Sequence, residues 1–238
     1  MSELQTVFVV GASGYTGQAV VAQCRKQGWH TVAHIRPGSS SLARLQPGFE
    51  ASGAIVDTTE WDADAFAATL ERVRPTIVFS LLGITRSGAK REAAATGGAA
   101  PTYREVDYRL TMLAAHAAAS VSPQPRFVFL SSLGADAPGG NAYLRARFDV
   151  ERDLATLGAP FTVARPSFIT GDDRDESRPA ERIGAAVADV GLGLLGALGA
   201  KKMKAKYRSR TADELAASLV RLAADPRASN KAYQAHQL

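Results

Sequence analysis

Tyr143 and Arg147 stand four positions apart in the stretch NAYLRAR, and a serine pair, Ser131 and Ser132, closes an apolar run shortly before them. A spacing of four puts two side chains on one face of a helix. A phenol has an ordinary pKa of about 10, so it exchanges protons poorly at neutral pH unless a nearby cation stabilises its phenolate. Arginine supplies that charge, although it does not give up its proton and its planar fork differs from an ammonium group. Of the six tyrosines, only Tyr143 has a basic residue four positions on and follows a serine pair at the end of a strand-like run. The chemistry on offer is proton exchange at a substrate oxygen, with Tyr143 as acid–base. The plainer alternative is a surface tyrosine with a basic neighbour.

The elements that must position these residues follow from hydrophobic periodicity. TVFVV reads as a strand, a glycine cluster follows, and GQAVVAQCRKQG continues with helical spacing. HTVAHIR, ASGAIVD, PTIVFSLLG, RFVFLSS and FTVARPSFITG read as five more strands. SLARL, DADAFAATLERV, VDYRLTMLAAHAAAS and AYLRARFDVERDLATLG read as the helices between them. Residues 85–104 read as a mobile loop, and TADELAASLVRLAAD as a capped amphipathic helix. This alternation predicts an α/β fold, a doubly wound parallel sheet covered on both faces. Residues 1–164 form the expected core, and 165–238 a small substrate-side region packed on it.

Between the first strand and first helix, VVGASGYTGQAV sets Gly11, Gly14 and Gly17 three positions apart. A tight turn, close backbone approach and helix amides directed outward suit the pyrophosphate of a dinucleotide, with Ser13, Tyr15 and Thr16 beside the glycines. The second strand ends in His34 and Arg36, without the acid that would bind free ribose hydroxyls. Arg36 can take a 2′-phosphate, so NADP(H) is expected over NAD(H). Asp57, closing the third strand, either accepts from the adenine amino group or caps the next turn. Leu82 and Gly83 at the end of the fourth strand, and Pro166 after the sixth, complete the expected cofactor contacts. Hydride transfer from a nicotinamide to a carbonyl requires an acid at the oxygen, the role open to Tyr143.

GASGYTG, LLGITR, VDY, FLSSLGAD, YLRAR and DRDESRP occur in an order that resembles the atypical branch of the short-chain dehydrogenase/reductase superfamily, in particular its Tat-interacting-protein-type oxidoreductases, with a looser likeness to NmrA-like proteins. The resemblance implies a Rossmann-like fold, NADP(H) and a Ser/Tyr/Lys site. It carries over to Ser132 as the hydrogen-bonding anchor of the substrate oxygen, to Tyr143 as the acid–base and to Arg147, which takes the lysine's place as electrostatic and ribose partner. Asp107 stands where many relatives carry asparagine. The activity implied is hydride exchange with a small carbonyl or quinone-like substrate; a cofactor-sensing regulator that binds a protein partner is the second reading.

The composition, 46% hydrophobic and 21% charged with a net charge of +5, is that of an ordinary globular chain with a bias toward anionic ligands. The single cysteine, Cys24, excludes an intramolecular disulfide, and no basic n-region precedes the first strand, so a cytoplasmic protein is expected. The basic run AKKMKAKYRSR reads as a solvated face. A small-molecule substrate is expected, a protein partner or homodimer is admitted, and nucleic acid and membranes are disfavoured. Arg165 either closes the nicotinamide side of the pocket or pairs with acids nearby, and TGDDRDESRP is expected at the substrate rim.

Overall fold

A computed structural model describes residues 5–85, 88–90, 93–94, 97–167 and 210–238. In chain order these form β1 (Thr6–Val10), α1 (Tyr15–Lys26), β2 (His30–His34), α2 (Leu42–Ala51), β3 (Ile55–Asp57), α3 (Ala63–Val73) and β4 (Ile77–Ser80). A π-helical segment, Arg104–Leu110, then runs into α4 (Thr111–Ser120), followed by β5 (Arg126–Leu130), α5 (Ala142–Leu154), β6 (Phe161–Arg165), α6 (Ala212–Ala224) and β7 (Lys231–Gln234). The strands make one sheet in the order β3-β2-β1-β4-β5-β6-β7, and every neighbouring pair is parallel. This is the α/β Rossmann-like architecture expected from the alternation.

Strand residues alternate between two apolar layers, as the pleat requires. Val7 and Val9 of β1 join Ile77 and Phe79 of β4 in a core shared with Val20, Val21 and Cys24 of α1 and Leu215 and Leu219 of α6. Phe8 and Val10 face the other way, into a core with Phe66 and Leu70 of α3, Met112 of α4 and Val150 and Leu154 of α5. Phe8, Phe66, Phe79 and Phe129 are fully buried, each contributing about 1.5–3 kcal/mol of transfer free energy. Burial pushes the Cys24 thiol up to about 12, so it packs as a small apolar group.

Several elements differ from expectation for local reasons. The short helix after β2 continues to Ala51 with Pro47 inside it, which shortens the third strand to Ile55–Asp57. The seventh strand was not expected: KAYQ carries exposed Lys231 and Ala232 and lacks an apolar run, yet Thr162 to Arg165 of β6 pair with it. The C-terminal residues 210–238 therefore supply a strand and a helix to the same layered body. Helix α6 starts at a capping box, Thr211 and Glu214 exchanging side-chain-to-backbone hydrogen bonds. No helix among the described residues is long and apolar enough to cross a membrane.

Strand order reverses between β1 and β4, and the carboxyl ends of these strands open a crevice in which doubly wound sheets bind ligands.

Candidate active site

The glycine turn lies at that crevice. Gly11 has φ +82°, and a Cβ there would come within 3.0 Å of the Leu81 backbone, so the turn passes directly against the end of β4. A Cβ on Gly17 would meet the Gly11 carbonyl oxygen at 2.1 Å: α1 is seated on its own entry turn. Helix α1 begins after Gly14 with no side-chain cap and no acid in its first turn. Its positive end is left for an anion. Gln18 steadies the loop by donating to the Ser13 carbonyl at 3.0 Å.

Around the adenine side, Arg36 is exposed beyond β2 while His34 is not its companion at the rim. His34 is buried, stacks on Phe8, meets Trp61 and Phe66 edge-on, and hydrogen-bonds the Thr59 carbonyl at 2.8 Å. Burial holds its imidazole below the ordinary range, against the opposing pull of Thr59 and Asp57. Asp57 caps the turn after β3, accepting from the Thr59 amide at 3.0 Å, and stands 3.6 Å from Arg72.

Tyr143 and Arg147 are placed by the start of α5. Asn141 caps the helix by accepting from the Leu144 amide at 3.0 Å, which sets Tyr143 in the first turn and Arg147 one turn later. The Arg147 guanidinium is buried. It donates to the carbonyls of Leu130 at 2.5 Å and Leu82 at 2.7 Å, and to Asp107 at 2.8 Å. Its central carbon also lies 5.2 Å from the centre of the Tyr143 ring. One side chain thus ties the ends of β4 and β5, the π-helical segment and the tyrosine. Only Nε is left unpartnered. A Cβ on Gly83 would stand 2.6 Å from Nη2 of Arg147, so the residue after Leu82 has room only for hydrogen.

Burial opposes the Arg147 charge, but Tyr143 and Asp107 outweigh it and hold the guanidinium above its ordinary range. Burial also pushes the Asp107 carboxyl up, against the pull of Arg147 and of the Ile84 amide, which donates at 3.1 Å. The geometry supports the charged pair, because Asp107 accepts from two donors and arginine keeps its proton.

The two serines of the β5 end point to different partners. Ser131 is buried and donates to Glu151, which holds Arg165 through both carboxylate oxygens, at 2.5 Å to Nη2 and 3.0–3.1 Å to Nε. Asp136 stands 3.9 Å from the same arginine. Of the alternatives for Arg165, pairing is what it does, with Glu151 as partner. The Ser132 hydroxyl reaches the Leu133 carbonyl only at 3.5 Å, long for a hydrogen bond. The Leu133 amide donates to Pro166 at 2.9 Å, closing the loop of Ser132 against the end of β6. Sequence reasoning missed Glu151; its position one turn after Arg147 on the same helix was the available signal. TGDDRDESRP and 201–209 of the basic run lie outside the described residues. Arg210 donates to Ser218 at 3.2 Å and to the Ala235 carbonyl.

Beside Tyr143 the structure has a cleft of about 520 Å³ between the segment after β4, the start of the π-helical segment and α5. Tyr103 lines it and meets the Tyr143 ring edge-on, centroids 5.5 Å apart.

A family model described as NAD(P)H-binding matches residues 11–190. The chain belongs to this NAD(P)H-binding family. Among curated relatives of this NAD(P)H-binding protein, "Protein fmp52, mitochondrial" of Emericella nidulans is 30% identical over 81% of this chain and 77% of its own length. The protein of the same name in Aspergillus niger is 31% identical, over 76% and 73%. The Candida albicans protein is 27% identical, over 71% and 69%. These names overturn the cytoplasmic expectation. Location is carried by addresses that receptors read, which reasoning from charge and cysteine content does not register.

Among solved structures, AtPrR2 with NADP+ and (+)pinoresinol superposes with a TM-score of 0.66 at 17% identity, covering 98% of this chain and 70% of that one. The apo form of AtPrR2 gives 0.60, over 96% and 69%. At such identity the likeness is one of fold. The residues present fit a nicotinamide dinucleotide: the turn of Gly11, Gly14 and Gly17 is the cradle that a single added Cβ would fill, and it opens at an uncapped helix end.

Proposed function

We propose that this NAD(P)H-binding chain is an NADP(H)-dependent oxidoreductase of the atypical short-chain dehydrogenase/reductase type, akin to the Tat-interacting-protein-type enzymes, acting on a small carbonyl or quinone-like substrate. The observation that carries the reading is Tyr143 set against a buried, ion-paired Arg147, whose guanidinium lies 5.2 Å from the centre of its ring, at the carboxyl edge of the sheet. The glycine turn with Ser13, Tyr15 and Thr16 would hold the pyrophosphate, Arg36 the 2′-phosphate, Asp57 the adenine, and Leu82, Gly83 and Pro166 the nicotinamide side. Bound there, the nicotinamide supplies or accepts the hydride.

Tyr143 donates its phenolic proton to the substrate oxygen, and Ser132 hydrogen-bonds the same oxygen. Arg147 stabilises the phenolate left behind as a fixed cation and does not relay the proton, which returns to Tyr143 from solvent. A ribose contact by Arg147 would fall to Nε, its one nitrogen without a partner.

The test is NADPH oxidation across carbonyls and quinones with wild type and Tyr143→Phe. The variant should lose about 10²–10⁴-fold in kcat/KM with NADPH affinity retained; equal rates would sink the reading. The second reading, an NADP(H) sensor with a protein partner, is favoured by one observation: Asp107 and two carbonyls engage Arg147 as a structural tie. A partner whose affinity changes with NADP(H), together with no turnover on any carbonyl or quinone, would select it.

A further inference from the structure

The cleft beside Tyr143 has an uneven chemistry. Ile84, Ala89, Pro101, Tyr103, Ala142 and Ala146 give it apolar walls, and its volume of about 520 Å³ suits a small organic molecule. Among the described residues, three charged side chains reach it, those of Arg104, Arg145 and Asp149. Arg104 is engaged: it donates to Asp149 at 2.8 Å and lies 3.8 Å over the Tyr108 ring. Asp149 is engaged twice, since Arg152 also stands 3.1 Å from it. Asp149, the acid of the cleft among the described residues, is therefore already neutralised. Arg145 is exposed, and its guanidinium has no partner among the described residues. An apolar cavity with one uncommitted fork of donors is complementary to an apolar body carrying a carboxylate, which a guanidinium grips through two parallel hydrogen bonds.

We propose that the cleft takes an apolar, aromatic-sized carbonyl compound bearing a carboxylate, with Arg145 as the residue that selects the anionic group. The proposal rests on the oxidoreductase reading for the identity of the reacting carbonyl, and on the cleft alone for the carboxylate. The Tyr103 ring, shared between the cleft wall and Tyr143, brings the bound body beside the proton donor.

The experiment compares para-benzoylbenzoate with the matching neutral benzamide. Binding is measured by calorimetry in the presence of NADP+, and turnover separately by NADPH oxidation. The carboxylate should bind about ten- to a hundredfold tighter than the amide. Arg145→Gln should erase that difference while leaving the amide unchanged, and Ala142→Trp, which fills the cleft, should abolish binding of both. Equal affinities for the two ketones, an Arg145→Gln variant that keeps the preference, binding that survives Ala142→Trp, or binding of neither ketone would each overturn the proposal. Arg145-dependent binding without NADPH oxidation would support the anion site while removing the oxidoreductase reading. Reduction of both ketones with equal KM would do the reverse.

Discussion

Nη2 of Arg147 lies 2.8 Å from Oδ1 of Asp107, with the two side chains 5% and 0% exposed. Removing one member of a buried pair leaves an uncompensated charge, at a cost of about 3–5 kcal/mol. Asp107→Leu or Arg147→Met alone should therefore lose about that much in urea unfolding, whereas the double substitution should recover most of it. Turnover should not return with stability, since Tyr143 has then lost its cation. Recovery of both would make the pair structural only.

Gly83 is confined by the same guanidinium. Gly83→Ala drives a methyl toward Nη2 of Arg147, which is pinned on three sides. A displacement of this order costs about a hundredfold in turnover. Steady-state kinetics with NADPH held saturating should show the fall in kcat, and an unchanged kcat would mean that Arg147 is not a positioned group.

Arg36 is the proposed reader of the 2′-phosphate. Loss of a charge-assisted hydrogen bond costs about 1.5–3 kcal/mol, so Arg36→Ala should weaken NADPH about tenfold or more in a fluorescence titration and leave NADH unchanged. Equal weakening of both cofactors would place Arg36 elsewhere in recognition.

His34 predicts the direction of a pH effect. Its folded-state pKa lies below the ordinary 6.5, because burial disfavours the imidazolium. The unfolded chain then binds the proton that the folded chain refuses, so stability contributed by the neutral ring is present above about 6.5 and is lost as pH falls toward the folded value. For one proton the slope approaches about 1.4 kcal/mol per pH unit. Urea midpoints taken between pH 7.5 and 5.5 should fall in wild type, and more shallowly in His34→Gln whatever that variant costs in packing. Identical slopes would exclude His34 as the source.

The sheet was legible because β-branched and aromatic runs alternate with helical spacing, and the glycine turn because its three glycines follow the first strand. What local pattern did not carry was partnership across the fold. Asp107 and Arg147 meet only because β4 and β5 are neighbours, which brings the π-helical segment over the first turns of α5. Ser131 and Ser132 are alike in sequence, but the peptide alternation sends one to Glu151 and leaves the other at the loop. His34 was legible only as the end of a strand, because the Trp61 and Phe66 rings that help bury it come from α3 and the turn before it. Strand β7 escaped because an edge strand exposed on its residues needs no apolar run.

That edge has a bearing on self-association. Among the described residues the sheet ends in three residues of β3 on one side and four of β7 on the other. Edges this short offer a second copy little backbone to pair with, so strand addition is a poor route to a dimer or a fibre. Among the described residues that leaves the helical faces, rather than the strand edges, for a contact between two copies.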